Sequence, residues 1–225
     1  MNRLFDLAQC RAAHPMQAEV NPRPDAGPSR QAEGEEGGMT EMIDLLCQEH
    51  CNMESLLGVL ERELRVFGRP DYEVVLAVID YFKDYPDACH HPKEDMIFEK
   101  LRARDPVASG SIGDLQAQHR EGASRLRRVA QAVERVLADH DLVRQNVDDI
   151  IHEFINHERQ HMAMEERVVF PAALAALRPQ DWADIALRLA DRYDPFYQPG
   201  FEQRFNIKRR DIMRMEEEAE AERSH

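Results

Sequence analysis

Four long stretches of this sequence repeat their apolar residues at intervals of three and four, and each carries a histidine on that same stripe. Such spacing marks a helix with one buried face. In the first run Met39, Ile43, Leu46, His50, Met53, Leu57, Leu60 and Leu64 share the stripe, with Thr40 placed as N-cap. The second starts near Asp71 and passes through Val74, Val75, Val78, Ile79 and Phe82 to His90, Ile97 and Leu101. Pro86 and Pro92 fall inside it, so a helix kinked near Tyr85–Pro86 is expected. The third holds Ile112, Leu115, His119, Ala123, Leu126, Ala130, Val133 and Leu137. The fourth begins near Leu142 and holds Ile150, Phe154, His157, His161, Glu165, Val168 and Ala172. Turns are expected at Gly68-Arg69-Pro70, at Asp105-Pro106 with Ser109-Gly110-Ser111, and at Ala138–Asp141. A shorter helix around Asp181 to Asp191 carries the only tryptophan, Trp182. The pattern predicts an all-α fold: an antiparallel up-down-up-down four-helix bundle with a short additional C-terminal helix.

Two histidines are followed one turn later by a carboxylate, giving His90 with Glu94 and His161 with Glu165 on core-facing stripes. A buried charge is costly unless it is paired or binds a metal. The intervals between the four stripe histidines test whether they meet. His50 to His90 spans 40 residues, His90 to His119 spans 29, and His119 to His161 spans 42. In an alternating bundle the first and third connections turn at one end and the second at the other. A shared ligand level therefore requires the first and third intervals to match. They do, placing the level roughly 30 Å from one end and 20 Å from the other at about 1.5 Å per residue. A lone histidine on an apolar face is ordinarily a hydrogen-bonded core residue; four at one height with two carboxylates ask for a cation.

Imidazole and carboxylate donors without thiolate favour iron, manganese or zinc over copper(I) or an iron–sulfur cluster. The six groups His50, His90, Glu94, His119, His161 and Glu165 exceed the needs of one tetrahedral zinc. They suit two ions bridged by Glu94 and Glu165, with open positions for oxygen, nitric oxide or peroxide. Neighbouring residues receive structural roles. His91, pairing with Asp95, competes with His90 but points toward the rim, so His90 is preferred. His157, one turn before His161, is a structural residue in first place and a hydrogen-bond donor or the missing ligand in second. Glu54 is a surface carboxylate at the stripe's edge. Tyr85, Cys47, Cys51 and Cys89 are assigned to packing beside the ligand segments.

The formal net charge of -14 argues against nucleic acid, which requires clustered Lys and Arg. No apolar run is long enough to cross a bilayer, and the first residues, with Asp6, lack the apolar core of a secretory signal. The four cysteines form no disulfide framework, so the expected setting is soluble and cytoplasmic. Residues 1–38, with Pro15, Pro22, Pro24 and Pro28, show no period and are expected to be flexible. Gly34–Gly38 before Met39 would be encoded by a purine-rich run resembling a ribosome-binding site, which makes Met39 a second candidate start. The domain division is therefore 1–38 extension, 39–195 bundle and 196–225 charged, solvated tail.

From about Met39 to Pro195 the chain resembles the hemerythrin-like family, also called the HHE cation-binding domain. The resemblance rests on Gln48-Glu49-His50, His90-His91-Pro92-Lys93-Glu94-Asp95, Gln118-His119, and His161-Met162-Ala163-Met164-Glu165-Glu166 with Val169-Phe170-Pro171. It implies a cofactor of two iron ions, a non-haem diiron centre within the bundle, with manganese or zinc less favoured. Two departures from the oxygen carriers stand out. Ala123 replaces their second third-helix histidine, and Glu165 stands where they use an aspartate. One fewer imidazole favours reaction or sensing over reversible oxygen carriage. The pattern is closer to bacterial iron-centre repair proteins and to the hemerythrin-like iron sensor of a ubiquitin ligase. The resemblance implies a binding or sensing protein for a diatomic or peroxide ligand. The alternatives are a peroxide-decomposing or nitric-oxide-reducing enzyme, or an iron donor for iron–sulfur repair.

Overall fold

The computed structural model describes residues 30–66, 70–138, 144–192 and 201–224. Every regular element among them is helical: α1 (Arg30–Arg65), α2 (Tyr72–Tyr85), α3 (His91–Arg104), α4 (Pro106–Ile112), α5 (Leu115–Ala138), α6 (Arg144–Met164), α7 (Phe170–Ala176), α8 (Pro179–Arg192) and α9 (Phe201–Arg223). Asp71 caps α2 by accepting from the N–H groups of Glu73 and Val74. The helix α1 packs on α2 and α6, α2 on α5, and α5 on α6, so the four long helices close a ring. None of the described helices is long and apolar enough to cross a membrane.

Inside the ring the apolar core falls into two clusters. One gathers Met53, Leu57 and Leu60 of α1 with Val78 and Phe82 of α2, Leu126 and Val129 of α5, and Ile151 and Phe154 of α6. The other gathers Ile43 and Leu46 of α1, Ile97 and Leu101 of α3, Leu115 of α5, and Val169 and Phe170 beyond α6. His50, His90, Glu94, His119, His161 and Glu165 each lie along the chain between a member of one cluster and a member of the other. A polar layer therefore interrupts the core at a single level.

The proline in the second run acts in a more specific way than a simple kink. Pro86 opens a five-residue π-helical turn, Pro86–His90, that closes with the His91 N–H donating to the Pro86 carbonyl. A second such turn, Glu165–Val169, closes with the Phe170 N–H on the Glu165 carbonyl. Each is followed, two residues after its last member, by a proline: Pro92 and Pro171. A proline inside an α-helix lacks the N–H and its ring strikes the carbonyl four residues back, and widening the preceding turn relieves both conflicts. The two widened turns abut the two ligand pairs, one ending at His90 and the other starting at Glu165.

Three expectations are corrected. The helical pattern starts before Met39, since α1 begins at Arg30; residues 1–29 of the expected extension lie outside the described residues. The expected turn around Ser109-Gly110-Ser111 is the short helix α4, capped by Asp105 accepting from the Ala108 N–H and ended by Gly113 at φ 86°. The tail beyond residue 200 is not solvated along its length. Phe205, Ile212 and Ala219 of α9 are buried, with α9 packed on α1 and α2. Its stripe escaped an apolar count because half of it is ionic: Glu216 meets Arg62, Arg223 meets Glu63 and Lys208 meets Asp80. The turn at Asp139–Asp141, the helix start at Leu142, and the Gly68-Arg69 and Pro195–Gly200 segments lie outside the described residues.

Candidate metal centre

All six residues singled out by spacing converge in the polar layer. His90 Nε2 lies 2.9 Å from Glu94 Oε1, and His50 Nε2 lies 3.4 Å from the same oxygen and 3.5 Å from Glu165 Oε2. On the other side His119 Nε2 lies 3.5 Å from Glu94 Oε2 and 3.7 Å from Glu165 Oε1, and His161 Nε2 lies 3.3 Å from Glu165 Oε1. Each carboxylate thus turns one oxygen to each pair of imidazoles. Two donor sets result: His50, His90, Glu94 and Glu165, and a second built on His119, His161 and Glu94.

The second set has a member that the spacing argument sent to the rim. His91 joins Glu94, His119 and His161 with one ligand atom each within 4.8 Å of one another. Its ring stacks on His119 at 3.7 Å between centroids, and its Nδ1 lies 2.9 Å from Asp87. Helix geometry carried the signal. At about 100° per residue Glu94 sits roughly 40° from His90 and 60° from His91, so it stands between the two. The stripe defined by Ile97 and Leu101 favoured one neighbour, whereas a carboxylate with two working oxygens serves both.

The outward-facing ring nitrogens are held by groups whose roles sequence spacing did not assign. His90 Nδ1 lies 2.7 Å from Glu49, whose other oxygen takes the Lys93 ammonium in a buried ion pair. His50 Nδ1 lies 2.9 Å from Glu166, and His161 Nδ1 lies 3.1 Å from Gln118. These contacts fix the rings with Nε2 aimed inward, the arrangement in which a bound ligand imidazole is oriented from behind. Phe170 stacks on His50 at 5.7 Å. His157, near His161 in sequence, stays outside both sets, its ring parallel to that of His161 at 6.4 Å. Tyr85 packs as expected, stacked on Tyr81. Glu54 is not a surface carboxylate: it is buried and takes a forked contact from Arg159.

The electrostatics describe a pocket in which buried imidazoles and carboxylates shift one another's protonation. Burial alone would lower His50 and His90, but contacts with Glu165, Glu166 and Glu94 raise the first and Glu94 with Glu49 the second. Burial would likewise lower His119, yet Glu165 and Glu94 lift it to about 10. His161 goes the other way, pressed to about 4 by burial, with His119 and His91 beside it opposing a charge. Glu94 is held well below the ordinary carboxylate range, burial being overcome chiefly by His90. The inner atoms nevertheless lack aligned hydrogen bonds: Nε2 of His50, His119 and His161 and all four oxygens of Glu94 and Glu165 are buried without a partner. Orphaned donors of this kind are rare in a native core, and converging imidazole nitrogens and carboxylate oxygens fit a divalent or trivalent cation.

Fold and site together define an all-helical, cation-binding domain with its donors at the centre of the helix ring. The sequence model of the hemerythrin HHE cation-binding domain matches residues 41–173, and the chain belongs to that family. No curated protein and no solved structure gives a significant match.

Proposed function

We propose that this chain is an antiparallel up-down-up-down bundle carrying a non-haem diiron centre that binds, senses or reacts with oxygen, nitric oxide or peroxide. Supporting the alternation, α1 and α5 run from the Leu46 cluster to the Met53 cluster, while α2–α3 and α6 run the opposite way. In this reading His50, His90, Glu94 and Glu165 hold one iron. His119 and His161, with Glu94 and Glu165, would hold the other. His91 replaces the imidazole that Ala123 cannot supply. The observation that carries the reading is the division of each buried carboxylate between two imidazole pairs.

Bound there, two irons supply redox equivalents and exchangeable coordination positions. The chain's own groups do the positioning: Glu49, Glu166 and Gln118 keep ring nitrogens turned inward, and Lys93 neutralises Glu49. Metal analysis of the purified protein should return two irons per chain, with near-ultraviolet absorption that changes on adding peroxide or nitric oxide. Glu94→Ala should lose both ions together. A wild-type stoichiometry of one or fewer after iron loading would refute the diiron reading.

A further inference from the structure

Beside the second donor set lies a cavity of about 140 Å³, lined by His91, His119, His161, Ala123, Gly122 and Glu158 among others. Its size admits several water-sized molecules. Ala123, where an imidazole would have filled the space, leaves the face of the donor set open. Apolar walls come from Phe82, Leu126 and Phe154. Glu158 brings a carboxylate to this wall, three residues before His161, and belongs to neither donor set.

Gly122 lets the Glu158 carboxylate lie close against α5. It is buried in the middle of α5, where glycine costs about 1 kcal/mol relative to alanine. Its backbone has no need of glycine's freedom, since positive φ occurs among the described glycines only at Gly113. A Cβ on Gly122 would fall 2.6 Å from Glu158 Oε1, so a side chain here would make the flexible end of Glu158 shift.

Resting on the diiron reading above, we propose that Glu158 is the proton-handling group of this cavity, seated by Gly122, and that the cavity takes a small protic oxidant of the hydrogen peroxide type. Dioxygen and nitric oxide carry no proton for such an acid to take. The step is a proton transfer: one O–H bond of hydrogen peroxide breaks and an O–H bond forms on the Glu158 carboxylate. The bonding pair stays on the hydroperoxide anion, and nothing is oxidised or reduced. In the metal-free chain burial, with the like charge of Glu165, raises this carboxyl above the ordinary range.

The test uses the iron-loaded full chain. Iron content, the rate of the spectral change with hydrogen peroxide, and the nitric oxide affinity of the ferrous form are measured for each variant. Glu158→Gln should keep two irons and its nitric oxide affinity within about twofold, while the peroxide rate falls by ~100-fold. Glu158→Asp should recover part of that rate. Gly122→Ala should slow peroxide in the same direction by displacing the carboxylate, and the double variant should be no slower than Glu158→Gln alone. An unchanged peroxide rate in Glu158→Gln, a parallel loss of nitric oxide binding, additive single effects, or a wild type that binds iron yet ignores peroxide would each overturn this proposal and leave the diiron reading standing. A wild type that takes up no iron would overturn both.

Discussion

Glu49 touches none of the proposed cations, yet it settles the tautomer and direction of His90 while Lys93 holds its second oxygen. Groups that orient a ligand from behind are worth about 10- to 100-fold in metal affinity. Glu49→Gln is therefore expected to weaken iron binding by that factor in competition with a chelator, with the helical circular dichroism signal retained. His91→Ala tests the member that spacing missed: iron content should fall from two per chain toward one, since the first donor set is intact without it. The ring nitrogens also set the response to pH. In the metal-free chain His119 titrates near 10 rather than 6.5, so its contribution to stability is complete below about pH 6.5 and disappears as pH rises through 10. Cation binding must displace those protons, so affinity increases over the same window. Melting temperatures at pH 7 and 9.5 should consequently fall for the metal-free protein, and the added stabilisation by saturating zinc should grow. Equal slopes with and without zinc would contradict the proton-for-cation exchange.

At the level of the helix, straight-helix arithmetic located the ligands and still misjudged their neighbours. His50, His90, His119 and His161 were legible because the intervals between them depend only on helix length and turn number. Glu94 and Glu165 were legible because an (i, i+4) pair shares a face in any α-helix. His91 was not, since choosing between adjacent residues requires the azimuth of the partner helices and not the stripe of its own. Glu166 and Gln118 act across 116 and 43 residues, a relation no local period encodes. The prolines that close each widened turn are open to test. Pro171→Ala restores an N–H and removes the ring that obstructs the ordinary helical bond. The turn should tighten and swing Glu165 off its bridging position. Iron affinity is expected to drop by ~10-fold while the metal-free protein melts no lower, the reverse of what a packing defect would give.

The whole molecule is bound together by α9 as well as by the ring. Glu63 is 0% exposed, accepts the Asp71 N–H and is clasped by Arg223 from the far end of the chain. Removing one partner of a buried pair strands the other. Arg223→Ala should lower unfolding free energy by about 2–3 kcal/mol in urea titrations. Lys208→Ala, which breaks only the exposed contact with Asp80, should cost about 0.5 kcal/mol or less. The C-terminal helix was hard to read from sequence for the same reason. A stripe that alternates Phe205 and Ile212 with Lys208, Glu216 and Arg223 reads as solvated until each charge is matched to its counterion.

Because Glu94 and Glu165 each face both donor sets, two irons held as proposed would bind in a coupled way. In that reading Glu94 and Glu165, freed of shared protons and of their mutual repulsion by a first cation, would keep their other oxygens turned toward the second set. Under scarcity a population of these molecules should sort into full and empty, with singly occupied ones rare. Such a protein would respond to available iron across a narrow range of concentration, as a threshold and not as a gradual store.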